Sequence, residues 1–322
     1  MYIIRDFEPT DAEYKSVVAV CNAAWPDDLS TVSDWTHGDK QRDKNYLHAR
    51  QVIEKVEGDE RTIVGVGTYF ESSWSHQPGK YGIDWSIHPD HWSFELDKQY
   101  YDYAVDALKD RDPAPFKYIA YTREDKANRL KFLADMGFKQ TMREPISELE
   151  VTDYDYSRVP AAEAKVKSHG VEIWRLTELM EHDPQYREKL YELEWLIDLD
   201  VPTPDPVTKS PFEQYIKRFD NPRFTSDGWF IAVDQGEYVG MSTIWLNSAV
   251  PEKLYVGITG ILRSHRRKGI ATALKLRTFK FVESIGGKTI ETGNEENNPM
   301  YELNLALGFK PKPAWCDYEK VL

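Results

Sequence analysis

The stretch Thr259-Gly260-Ile261-Leu262-Arg263-Ser264-His265-Arg266-Arg267-Lys268-Gly269-Ile270-Ala271 reads as a strand end, a basic turn and a helix start. Ile270, Leu274, Phe281, Val282 and Ile285 share one face at helical offsets, so the helix is expected over 269–285. At such a join the first amides of the helix have no intrahelical acceptor, and the positive end of the dipole points outward. Gly269 and Ala271 present almost no side chain, so a ligand can approach the backbone closely. With Arg266, Arg267 and Lys268 beside those amides, the turn suits a phosphate or pyrophosphate. The spacing is neither that of the P-loop nor that of the dinucleotide fingerprint. Downstream come a strand at 287–293, an Asn-rich turn, and a helix over 298–307 closed by Leu307-Gly308-Phe309.

Working outward, the first half of the chain repeats these landmarks. Arg5 and Arg175 each sit in an apolar segment before a helical stretch, 170 residues apart. Val64-Gly65 and Val239-Gly240 lie in strand patterns 175 apart, and Gly137-Phe138 and Gly308-Phe309 are 171 apart. Three landmarks in one order at a nearly constant offset indicate an internal duplication. The expected division is a first domain over 1–152, a linker over 153–169 and a second domain over 170–322. In the second, strands are expected near 171–176, 228–234, 238–247, 254–262, 287–293 and 309–320. Helices are expected near 179–199, 211–219, 269–285 and 298–307. Prolines 202, 204 and 206 make 198–212 an extended loop, either a surface connection or a substrate wall.

Composition narrows the function. The chain has 322 residues and a formal net charge of −13, which argues against nucleic-acid binding. The first 160 residues carry 20 Lys+Arg against 30 Asp+Glu and the rest 21 against 24, so the basic turn is a local patch suited to a small anion. No apolar run is long enough to span a membrane. Met1–Asp6 lacks the basic and apolar regions of a signal peptide. Two distant cysteines, Cys21 and Cys316, fit a reduced cytoplasm and offer no metal-ligand spacing, so no metal is expected.

Arg266-Arg267-Lys268-Gly269-Ile270-Ala271 matches Gln/Arg-x-x-Gly-x-Gly/Ala, and with its flanking strand, helix and Gly-Phe close it resembles the GCN5-related N-acetyltransferase (GNAT) superfamily. The duplication makes the resemblance that of a tandem member. It implies an α+β fold of two tandem acyl-CoA N-acyltransferase domains, each a mixed, largely antiparallel twisted sheet flanked by helices. It also implies acetyl-CoA as co-substrate, its pyrophosphate on Arg266, Arg267, Lys268, Gly269, Ile270 and Ala271. The pantetheine arm would lie along Gly260, Ile261 and Leu262, with Asn294 and Asn297 or Asn298 bordering it; turn and cap duty is the other reading of these Asn residues. The first half has lost the turn: Trp92, Glu95 and Asp97 stand opposite Arg266, Gly269 and Ala271, so it is expected not to bind CoA.

The implied reaction is acetyl transfer to a primary amine of a small molecule or peptide. A backbone amide at Ile261 or Leu262 would stabilise the oxyanion. Glu291 is the first candidate for general base and Asp200 the second. The superfamily's Tyr acid is replaced by Asn304, which can hydrogen-bond but not donate a proton as an acid. Tyr301 could substitute or simply pack. The alternative is a catalytically silent acyl-CoA-binding sensor or scaffold. Monomer and homodimer are both compatible with a double domain.

Overall fold

The computed structural model describes residues 1–322. In chain order the elements are β1 (Tyr2–Asp6), α1 (Asp11–Ala24), α2 (Val32–Gln41), β2 (His48–Glu57), β3 (Glu60–Phe70), β4 (Lys80–Ile87), α3 (Phe94–Leu108), β5 (Lys117–Arg123), α4 (Ala127–Asp135), β6 (Lys139–Glu150), α5 (Val159–Ser168) and β7 (Val171–Arg175). Then follow α6 (Leu176–His182), α7 (Tyr186–Asp198), α8 (Phe212–Tyr215), β8 (Phe224–Asp234), β9 (Glu237–Trp245), β10 (Lys253–Ile261), α9 (Ile270–Ser284), β11 (Thr289–Gly293), α10 (Pro299–Ala306) and β12 (Lys310–Val321). They form two compact units. The first comprises Met1–Arg143, Pro204–Thr208 and Ala314–Leu322; the second comprises Glu144–Thr203 and Lys209–Pro313.

In the first unit β1, β2, β3 and β4 pair antiparallel in sequence, and β5 runs parallel to β4. Its last strand is Trp315–Val321 of β12, antiparallel to β5. In the second unit β7, β8, β9 and β10 pair antiparallel, and β11 runs parallel to β10. Its last strand is residues 146–150 of β6, antiparallel to β11. Each sheet is thus mixed and largely antiparallel, and each takes its final strand from the other sequence repeat.

This changes the expected boundaries. The division falls at Glu144 rather than after 152, and the chain's last nine residues, with Pro204–Thr208, belong to the first unit. Both terminal strands follow a Gly-Phe pair and have equivalent patterns, so their partner is a non-local choice. Residues 153–169 are not an extended linker. They hold a 3₁₀ turn at Tyr156–Arg158 and then α5, with Pro160 in the first helical turn where its missing N–H costs nothing. The helix expected over 179–199 is broken at Asp183-Pro184 into α6 and α7, since Pro cannot donate and biases the residue before it away from helix.

Each sheet of the pair is covered on both faces. In the second unit α9 packs Ala273, Leu274, Phe279 and Val282 with Phe230, Leu254, Ile290 and Phe309. The opposite face carries Leu190, Leu193 and Ile197 of α7 with Tyr215, Trp229, Ile231 and Met241. In the first unit α3 and α4 pack Leu96, Tyr100, Ala104, Phe132 and Leu133 on Ile83 and Trp85, while Val17 and Val20 of α1 cover Val52 and Val66.

Candidate active site

The second unit's site is built where two parallel strands part. β10 and β11 pair only from Lys253↔Thr289 to Tyr255↔Glu291, and no pairing follows. Just beyond, Gly257 and Ile258 form a bulge against β9, with the register shifting between Val256 and Thr259. A bulge bends its strand, which is what turns β10 away from β11. The extra amide of Ile258 is satisfied by Thr243 Oγ1 at 2.9 Å. A Cβ at Gly257 would come within 2.2 Å of Trp245 Nε1, so the bulge tolerates no side chain there.

β10 leads into a 3₁₀ turn, Arg263–His265, and then into α9 through two residues in the left-handed region, Arg267 at φ 68° and Gly269 at φ 80°. Gly269 is the N-cap and offers no side-chain cap. The first helical bond is Ala273 N–H to Gly269 O, so the amides of Ile270, Ala271 and Thr272 have no intrahelical acceptor. Arg266 and Arg267 are exposed beside them and Lys268 is half-buried. Uncapped amides, a dipole terminus and cations in one turn fit the phosphates of a CoA. Lys165 of α5 also packs here, its side chain 3.1 Å from where a Gly269 Cβ would stand. Lys165 lies in the stretch expected to be linker; Pro160 opening an alanine-rich segment is the helix-start signal there.

The other expected residues divide. Ile261 and Leu262 lie at the strand end, but the Leu262 amide is used by Val239 O at 2.9 Å. Alternation along an antiparallel pair then turns the Ile261 N–H toward the open edge. Gly260 is small for a packing reason: a Cβ there would meet Ile197 of α7 at 2.2 Å. Asn294 accepts from Asn304 Nδ2 at 2.6 Å, and Asn304 is fully buried with its Oδ1 unpartnered. Asn304 therefore has no surface on a ligand and braces the turn after β11. Asn297 folds back on Glu295, donating its amide at 2.9 Å and its Nδ2 at 2.7 Å. Asn298 caps α10 by accepting from the Met300 amide at 3.0 Å. Tyr301 is half-buried on the first turn of α10.

Neither expected base is free. Glu291 pairs with Lys253 at 2.6 Å, and Lys253 also holds Glu148 at 2.9 Å. Asp200 is clasped by Arg263 and Arg266, and its hydrogen bond from Arg263 is the main reason its pKa falls below the ordinary range. A carboxylate stabilised as an anion in this way is a poor proton acceptor. Asp200 instead offsets two of the turn's cations. The carboxylate with the opposite tendency is Asp198 at the end of α7. Burial and the nearby charge of Glu194 raise its pKa to about 7. Nothing in the local sequence distinguishes it from its neighbour Asp200.

The parted strands and the uncapped basic turn thus lie together within one α+β unit. Residues 187–309 match the acetyltransferase (GNAT) family. Over its length the chain is similar in fold to a tandem GNAT protein from the clavulanic acid biosynthesis pathway (TM-score 0.75, 17% identity, covering 100% of this chain and 98% of that one). It is likewise similar to a GCN5-related N-acetyltransferase from Sphaerobacter thermophilus (0.72, 15%, 99% and 95%). A GNAT-family acetyltransferase from Colwellia psychrerythraea matches at TM-score 0.60 and 12% identity, covering 98% of this chain and 99% of that one. The chain thus has the fold of tandem GNAT domains. No curated protein matches the sequence. No helix is long and apolar enough to cross a membrane, and no three His, Cys, Asp or Glu gather to hold a metal ion.

Proposed function

We propose that the second unit transfers an acetyl group from acetyl-CoA to a primary amine of a small molecule or peptide. One observation carries this reading: β10 leaves β11 after Tyr255 through a bulge and runs to an uncapped helix terminus. Arg266, Arg267, Lys268 and the amides of Gly269 to Ala271 would hold the phosphates, and Lys165 adds a further cation. The unpaired edge of β10 would bind the pantetheine arm as an added strand. When bound, the co-substrate supplies a thioester acyl group activated for attack. The Ile261 amide then faces the side on which oxyanion charge develops. The geometry departs from the superfamily's Tyr acid, since Asn304 is buried and does not reach the cleft; a thiolate leaves without one.

The test is acetyl-CoA binding by calorimetry together with release of free thiol in the presence of an amine panel. Binding with amine-dependent thiol release is expected. Binding without turnover on any amine would favour a silent sensor, and no binding of any acyl-CoA would refute both.

A further inference from the structure

We infer that Asp198 is the general base that takes the proton from the acceptor amine, and that its carboxylate seats the acceptor as an ammonium. The inference rests on the acyl-transfer reading above and names the group within that site which selects the acceptor.

Its placement follows from the course of α7. Near the helix start Lys189 donates to Gly236 O at 3.0 Å, at the turn between β8 and β9. Near its end Ile197 covers Gly260 on β10. Since Gly240 pairs Ile261, Met241 pairs Gly260 and Ser242 pairs Thr259, the helix advances from the hairpin turn toward the bulge. Its last residue, Asp198, therefore stands on the bulge side of Gly260, where β10 leaves β11.

Its surroundings leave it as the available carboxylate. Glu194, one turn earlier on the same stripe, is held by Arg218 Nη1, 2.5 Å from both its oxygens, and accepts from the Tyr215 hydroxyl at 3.2 Å. Asp198 has none of the short ion pairs that hold Glu194, Asp200 and Glu291. The charged and titratable groups facing it are Glu194 from its own helix, and Arg218 from the turn after α8 with Tyr215 of α8. Burial and then the charge of Glu194 raise its proton affinity, and Arg218 lowers it. Near pH 7 such a carboxyl is partly ionised and able to accept a proton, as a general base requires.

In the step, the Asp198 carboxylate takes one proton from the ammonium. The freed nitrogen lone pair forms the C–N bond while the thioester C–S bond breaks. The remaining excess N–H proton leaves to solvent, balancing the thiolate.

The test uses the full chain with acetyl-CoA, and phenethylamine and putrescine as probe amines. In the parent, kcat/KM should rise with pH through about 7. Asp198→Asn should lower kcat/KM by about a hundredfold or more and abolish that limb. Its acetyl-CoA Kd by calorimetry should stay unchanged. Asp198→Glu should restore part of the activity with a displaced limb, which a purely structural role would not produce. Retention of kcat/KM within about threefold in Asp198→Asn would overturn the assignment. So would failure of the parent to acetylate either amine while acetyl-CoA binds. Loss of acetyl-CoA binding by the parent would instead refute the cofactor turn itself.

Discussion

The two units part their parallel strands in the same way and line the opening differently. In the first, β4 and β5 pair from Lys80↔Lys117 to Gly82↔Ile119 and then separate. Arg129 of α4 crosses the gap, 3.5 Å from Asp84 and stacked 3.3 Å over the ring of Trp85. In the second the equivalent helix α10 carries Met300 and Tyr301 on its first turn in place of an arginine. The turns differ too. Six residues, His88–Ser93, join β4 to α3, against eight, Leu262–Gly269, joining β10 to α9. The shorter turn has no residue in the left-handed region, and Ser93 caps α3 by accepting from the Leu96 amide. Ser93, not Glu95, is thus the counterpart of Gly269. Asp97, buried, takes hydrogen bonds from Trp85 Nε1 at 2.6 Å and Trp92 Nε1 at 2.9 Å. The first unit sets a buried carboxylate near its helix start, where the second has uncapped amides beside exposed cations.

The largest expected effect breaks the contrast at the turn. Gly269→Glu should abolish measurable acetyl-CoA binding, since it adds a Cβ at positive φ, crowds Lys165 and places a carboxylate among the phosphate donors. Calorimetry reads it, and an unchanged melting temperature separates it from unfolding. Unaltered affinity would refute the placement of the phosphates.

Next is the buried anion of the first unit. Asp97→Ala should destabilise that unit by about 2 kcal/mol, because the buried Trp85 indole loses its acceptor and the exposed Trp92 indole loses its tether. Urea denaturation followed by tryptophan fluorescence reads it, and a loss below about 1 kcal/mol would show the pair to be dispensable.

The second unit's long helix buries a charge without such a partner. Lys275 is 1% exposed, lies over the Phe309 ring, and burial lowers its pKa to about 7. The unfolded chain binds the proton more tightly than the folded one, so stability rises with pH from about 7 toward 10.5, and the penalty is complete below that window. Lys275→Met should raise stability at neutral pH by roughly 2 kcal/mol and remove that slope. Denaturation curves at neutral and alkaline pH check both.

The smallest effect sharpens the account of Asp200. Asp200→Asn frees Arg263 and Arg266 for the phosphates, so acetyl-CoA affinity should rise about threefold at low salt and converge with the parent at high salt. Weaker binding would show that Asp200 orients those arginines more than it competes for them.

The residues that announced the fold were those whose meaning is local. Gly269 and Ala271 after a basic run, the helical spacing from Ile270 to Val282, and Pro299 after an Asn cap each name a backbone conformation that neighbours in sequence determine. The duplication was legible for the same reason, since its landmarks are turns and strand glycines. The catalytic carboxylate was not legible, because Glu291, Asp200 and Asp198 differ only in what faces them. Lys253 silences the first. Two arginines hold the second. Burial beside a charge that Arg218 already occupies leaves the third. Asn304 likewise reads as a substituted acid in the sequence, and only its burial against Asn294 makes it a brace.

By itself the sequence determined the two repeats, the basic glycine turn before α9 and its absence from the first repeat, because φ preference, missing side chains and helix periodicity act over a few residues. Tertiary structure decided the rest. It settled which repeat supplies the last strand of each sheet, since β6 and β12 carry equivalent patterns and only long-range pairing separates them. It likewise settled which carboxylate can accept a proton, since ionisation depends on desolvation and on charges brought from α7, α8 and β10 by the fold.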